Sequence, residues 1–232
     1  MPSAGTLTKS KKKTWGADLW SEVGGKGKKK TKNSDFAEEA KAEIRQNVLD
    51  EMGYENARVM DLFAGDGEMY SRVWHKASTY VGCDLEWPKD KRKIFVVDNR
   101  RLMRSIDLSG FNVFDLDHYG SPWEHVLLLT KARAVANGEK VALVLTEGSN
   151  FKVRMGGLPD ALAAMAGMKR GMGGAGTSHD EIIDRALCDL YERWGVKQIR
   201  RWQARHRTGS QMRYIALVLQ GVGHFAPETP IE

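Results

Sequence analysis

Apolar and polar residues follow two periods along this chain. From Asp35 onward, Phe36, Ala40, Ile44, Val48 and Met52 recur near helical spacing. Asp35 with Glu38 three residues later makes a capping-box-like start, and Gly53 a stop. The run Ala57 to Phe63 predicts a short buried strand, and Gly65 and Gly67 a tight turn after it. Tyr70 to Lys76 reads as the following helix. Thr79 to Cys83, Lys93 to Val97 and Asn112 to Leu116 read as three more strands, ending at Asp84, Asp98 and Asp117. Helix Trp123 to Ala136 and strand Val141 to Thr146 follow. Helix Asp180 to Trp194 leads through Gly195 into a terminal hairpin, Val196 to Arg207 and Met212 to Gly221, with its turn at Thr208–Gly209–Ser210.

Strand and helix thus alternate, with acids or glycine at the strand ends. That pattern predicts an α/β fold, a doubly wound, mostly parallel sheet covered on both faces. Ligands of open α/β sheets bind beyond the carboxyl ends of the strands. The Gly65–Gly67 turn, Asp84, Asp98 and Asp117 all fall there. Residues 148–178 break the rhythm with interleaved Gly and Met around a short helix, Pro159 to Met168. Because this insertion follows the fifth strand directly, it reads as a lid over the site.

Composition adds the class of protein. Of the 232 residues, 41% are hydrophobic and 28% charged, which excludes a wholly disordered or fibrous chain. The sequence has no apolar run long enough for a spanning helix, and no apolar segment follows the N-terminal lysines as in a secretory signal. Two cysteines, Cys83 and Cys188, exclude a disulfide framework and a multi-cysteine zinc site, and suit the reducing cytoplasm. The net charge of +6 belongs to the tail: residues 1–34 hold nine Lys against Asp18 and Glu22. This segment has too little apolar content to fold alone and reads as a flexible arm suited to phosphates, with a folded domain over 35–232. Trp15, Leu19 and Trp20 are its docking candidates.

The turn DLFAGDG, Asp61 to Gly67, needs residues without bulky Cβ groups where a cofactor approaches. Asp84 lies 17 residues after Gly67, near the spacing of about 20 at which an acid reaches ribose hydroxyls. Together with Asp98 this indicates an adenosine-bearing cofactor. A dinucleotide fingerprint would want glycine where Tyr70 stands. The turn instead resembles the first motif of the class I S-adenosylmethionine-dependent methyltransferases. The resemblance implies strand order 3-2-1-4-5-7-6 with strand 7 antiparallel, and S-adenosyl-L-methionine as cofactor. It places Asp61 at the methionine amino group, Phe63, Gly65 and Gly67 along the cofactor, Asp84 and Glu86 at the ribose and Asp98 at the adenine.

At the end of the fourth strand, DLDHYGSP (Asp115 to Pro122) resembles the DLDPFGSP of tRNA guanine-N2 dimethyltransferases, departing at His118 and Tyr119. An exocyclic amine is a poor nucleophile because its lone pair is delocalised into the ring. By this resemblance Asp117 and the His118 carbonyl accept hydrogen bonds from the amine, and Tyr119 stacks on the base. The His118 side chain, in place of proline, can titrate near neutral pH and so act as a base. The expected reaction is N-methylation of a nucleobase amine, in RNA rather than DNA. The alternatives are a DNA amino-methyltransferase and a non-catalytic nucleic-acid-binding module. Basic stretches at Lys89–Lys93, at Arg100, Arg101 and Arg104, and from Lys197 to Arg213 with Trp202 and His206 between, suit a nucleic-acid partner. No membrane partner and no metal are expected.

Overall fold

The computed structural model describes residues 35–86, 90–169, 171, 178–205 and 212–223. The Lys-rich segment 1–34, the hairpin turn and Lys89 lie outside them. The elements run α1 (Asp35–Met52), β1 (Arg58–Asp61), α2 (Glu68–Arg72), a 3-10 turn (Trp74–Lys76), β2 (Thr79–Asp84), β3 (Ile94–Val96), α3 (Asn99–Ser105), β4 (Val113–Leu116), α4 (Trp123–Ala132), β5 (Lys140–Glu147), α5 (Asn150–Arg154), α6 (Asp160–Met165), α7 (His179–Trp194), β6 (Val196–Arg205) and β7 (Arg213–Gly221).

The strands form one sheet of order β3-β2-β1-β4-β5-β7-β6. β1 through β5 are parallel, and β7 runs antiparallel to both neighbours. The expected order is therefore met. β4, β5 and β7 are buried along almost their whole length, as strands covered on both faces must be. Alternation then divides the apolar side chains between two layers. Met60, Phe114, Leu143, Leu145 and Ile215 pack with α3, α4, α6 and α7. Val59, Val113, Val144 and Ala216 pack with α1 and Trp74.

Several boundaries differ from the pattern. The helix expected from Tyr70 to Lys76 starts earlier, at Glu68, and breaks at Val73 into the 3-10 turn. α4 ends at Ala132 because Arg133 turns extended. The short helices α3 and α5 were not legible, since each spans under two turns. In the segment read as a lid, Val153, Leu158, Leu162, Ala163 and Met165 are buried in the main core. Its middle is therefore part of the packed domain; residues 170 and 172–177 lie outside the described set.

Candidate active site

Strand periodicity selects which acids meet. Residues 59 and 61 of β1 and 113 and 115 of β4 share one face of the sheet, and Asp61 pairs in register with Asp115. Asp117 continues that row. α1 covers this face, and Lys41 and Arg45, one helical turn apart, project onto it. Arg45 is fully buried and grips Asp115 with two parallel hydrogen bonds, Nε to Oδ2 at 2.6 Å and Nη2 to Oδ1 at 2.7 Å. The Trp74 indole donates to the same carboxylate at 2.7 Å. Asp115 is thus committed to holding α1 and the 3-10 turn on the sheet.

Asp117 meets Lys41 Nζ through both oxygens, at 2.7 and 2.8 Å, with Arg45 Nη2 3.4 Å away. Burial disfavours its charge, but Arg45 and Lys41 outweigh that and hold its carboxyl below the ordinary range. Asp61 is buried, accepting from the Phe63 amide at 3.1 Å and the Tyr80 hydroxyl at 2.9 Å. Burial, with the Asp115 carboxylate alongside, pushes it up to about 7. The face therefore carries three carboxylates against two cations.

The other side of the same loop is aromatic. The His118 ring stands edge-on to Phe63, with centroids 5.0 Å apart, and lies 5.4 Å from the ring of His125. His125 Nε2 bonds Asn99 Oδ1 at 2.9 Å, while the Asn99 amide donates to the Leu62 carbonyl at 3.0 Å. That arrangement requires the Nε2–H tautomer of His125 and leaves its Nδ1 a bare acceptor. The Nδ1 atoms of both histidines are buried without a protein partner among the described residues. Burial lowers both pKa values, that of His125 to about 4, so His118 is neutral at pH 7. Tyr119 between these two sides is 95% exposed.

At the glycine turn, Asp84 accepts from the Gly65 amide at 2.8 Å and the Glu86 amide at 3.1 Å, while Glu86 itself is exposed. A Cβ on Gly65, at φ 46°, would meet nothing nearer than 3.8 Å, so the backbone presents an open cradle there. Gly67, at φ 88°, has a different neighbour. A Cβ there would lie 2.6 Å from Arg92 Cζ. Arg92 is buried and donates to the Ala64 and Gly65 carbonyls at 2.8 and 2.9 Å. Gly67 makes room for the arginine that holds the turn. Asp98 caps α3 through the Arg100 and Arg101 amides. It also pairs with the Arg100 side chain, which holds it at about 2. The strand ends therefore gather every sequence-selected site residue along one edge of the sheet.

The basic stretches fare differently. Arg200 faces Glu51 on α1 and Arg201 faces Asp184 on α7, on opposite sides of the sheet. Arg213 pairs with Asp180. A register shift between Gln198 and Arg200 interrupts the alternation. Among the described residues, acids from two helices meet Arg200, Arg201 and Arg213, so these three do not stand as uncompensated charges on one face.

The seven-stranded order with one antiparallel strand is matched among solved structures. Trm1 from Pyrococcus horikoshii, solved with S-adenosyl-L-methionine, superposes with a TM-score of 0.54 at 16% identity, over 82% of this chain and 57% of that one. This is a class I methyltransferase fold. The N-methyltransferase NodS from Bradyrhizobium japonicum, in complex with S-adenosyl-L-homocysteine, gives a TM-score of 0.48 at 9% identity over 82% and 90% of the two chains. The chain spans little more than half the length of Trm1. No protein-family model and no curated protein sequence matches it.

Within this methyltransferase fold, four features escaped the sequence pattern: Lys41, Arg45, Arg92 and Glu147. Glu147 ends β5 fully buried, accepting from the Trp123 indole at 2.6 Å and the Ser149 amide at 2.6 Å. The signal was present for Lys41 and Arg45, as two basic residues four apart beside the apolar stripe of α1. Nothing local marked Arg92, whose role depends on a loop folding back on Gly67.

Proposed function

We propose that this chain is an S-adenosylmethionine-dependent N-methyltransferase acting on the exocyclic amine of a nucleobase, in RNA. One observation carries the reading: the loop after β4 opens with a carboxylate held by Lys41, Asp117, two residues before a fully presented aromatic ring, Tyr119. A planar amine needs such a pair, an acceptor in its plane and a ring on its face. The DLDHYGSP resemblance supplies the substrate class, and the fold supplies the setting.

The residues fit the cofactor by their chemistry. Gly65 leaves an open cradle, and the acids Asp61, Asp84 and Asp98 line the strand ends around it. Asp61 would face the amino group, Asp84 and Glu86 the ribose hydroxyls, and Asp98 the adenine amine. Phe63, braced by His118, would pack beside them. Gly67 would act through Arg92. When bound, the cofactor supplies an electrophilic methyl group on a sulfonium.

The chain's own residues do the rest. Lys41 takes one acceptor position on each oxygen of Asp117, and Arg45 Nη2 stands 3.4 Å from Oδ2, which leaves the second position of Oδ1. Asp117 therefore retains capacity to orient an amine N–H. The neutral His118 imidazole is in the protonation state to take up the proton that a methylated amine must lose. Tyr119 holds the base flat.

Incubation with isotopically labelled cofactor and RNA, DNA or free nucleosides tests this. Label in RNA is expected, on a guanine amine after digestion to nucleosides. Cofactor binding without transfer to any of the three would leave the alternative of a non-catalytic nucleic-acid-binding module. Label in DNA alone would make the chain a DNA amino-methyltransferase.

A further inference from the structure

The loop after β5 carries a second surface that the chemistry above does not use. β4 and β5 are parallel neighbours, so the loops that follow them emerge at the same sheet edge. They are also tied together. The Gly148 amide donates to the Gly120 carbonyl at 2.5 Å. Glu147 accepts from Trp123, at the start of α4, and from Ser121 at 3.4 Å. Beyond this junction comes α5, oriented by one residue: Val153 is buried in the core. That anchor turns the rest of the helix outward.

What it turns outward is unusual for a free surface. Phe151 is 58% exposed and Met155, the residue that caps α5, 72%; the Met155 amide bonds the Phe151 carbonyl at 3.1 Å, which keeps the two on one face. Lys152 and Arg154 flank them, exposed, and neither has an ion-pair partner among the described residues. Four other exposed arginines, Arg72, Arg185, Arg193 and Arg200, are matched by acids, whereas Arg101 and Arg104 on α3, like Lys152 and Arg154, have no ion-pair partner among the described residues. An aromatic ring and a thioether set between two uncompensated cations, on a loop bonded through Gly148 to the loop that carries the exposed Tyr119, complement a polymer with flat bases and a charged backbone. A small amine offers nothing for the cations to meet.

We infer that α5 and its cap, through Phe151, Lys152, Arg154 and Met155, bind the single-stranded RNA flanking the target base, continuing the stacking surface begun by Tyr119. The inference rests on the nucleobase reading and extends it to the neighbouring nucleotides.

The test measures binding of a short unstructured RNA to the full chain with S-adenosylhomocysteine present. Phe151→Ala is expected to weaken RNA binding about tenfold, and Phe151→Trp to restore it. Lys152→Ala with Arg154→Ala is expected to reduce the slope of log affinity against log salt by about 1.4. Affinity for S-adenosylhomocysteine should be unchanged in all of them, since none of these side chains lies in the glycine turn or at Asp84. Wild-type protein that binds and methylates RNA, with unaltered variants, would overturn the α5 surface and leave the nucleobase reading standing. Wild-type protein that neither binds nor methylates RNA, yet methylates a small amine, would overturn both.

Discussion

Lys41 Nζ donates to both carboxylate oxygens of Asp117, at 2.7 and 2.8 Å, joining residues 76 positions apart in the chain. The helix before the first strand thereby reaches the loop after the fourth. The pair fixes where Asp117 points and, with Arg45, keeps it ionised. Asp117→Ala is expected to reduce methyl transfer by about 100-fold, the loss typical of a misplaced reactant. Affinity for S-adenosylhomocysteine, measured by calorimetry, should stay within error. Lys41→Met removes a cation that holds the carboxyl down, so the acid limb of the pH–rate profile should move to higher pH. An unmoved limb would mean that Asp117 ionisation does not govern the rate.

Arg45 and Asp115 present a different case, since neither is accessible. Their charges have left water and depend on each other. Breaking such a pair costs about 3–5 kcal/mol, because one buried charge is left uncompensated. Arg45→Met should produce a loss of that size in urea unfolding. Arg45→Met with Asp115→Leu should recover part of it, the remainder reflecting the Trp74 indole that would lose its acceptor. Additive losses in the double variant would show that the two residues act independently.

Asp61 gives a pH dependence with a definite sign. Its folded carboxyl is pushed up to about 7, above its value in the unfolded chain. Between those values the folded state binds more protons than the unfolded one, so this group lowers stability as pH rises through the window. A ligand that carries an ammonium group binds the ionised form. Cofactor affinity should therefore increase as pH rises toward and past 7, with a proton released on binding. Calorimetry in buffers of different ionisation enthalpy measures that proton directly. Asp61→Asn should abolish the release and flatten the unfolding profile over the same range. A wild-type binding enthalpy independent of buffer would show that Asp61 is already ionised.

The sheet could be read from the sequence because it rests on local pattern: short, β-branched apolar runs such as Val141 to Thr146 fit strands buried on both faces, and an acid or glycine closes each. The strand-end acids were legible for the same reason. What those acids bind within the protein was not. Asp115 and Asp117 are two residues apart and chemically alike, yet Arg45 takes the first whole and Lys41 shares the second. That division depends on how α1 lies across the sheet, a tertiary fact. The acids that meet Arg200 and Arg201 on the hairpin were hidden for the same cause, since Glu51 and Asp184 arrive from distant helices.

Gly65 and Gly67 separate two demands that look identical in sequence. Both have positive φ, so alanine at either position carries backbone strain of about 1–2 kcal/mol. Beyond that they diverge. Space is open around Gly65, whereas a methyl at Gly67 would strike the guanidinium of Arg92 at 2.6–2.9 Å. Arg92 cannot retreat without giving up the Ala64 and Gly65 carbonyls and its pairing with Asp90. Gly67→Ala should therefore lower the unfolding temperature more than Gly65→Ala, while Gly65→Ala should weaken cofactor binding more for its smaller effect on stability. Arg92→Ala relieves the collision but frees the turn. Combined with Gly67→Ala, it should cost less stability than the sum of the two single changes. Strict additivity in thermal unfolding would place the arginine away from Gly67 and remove its role in holding the turn.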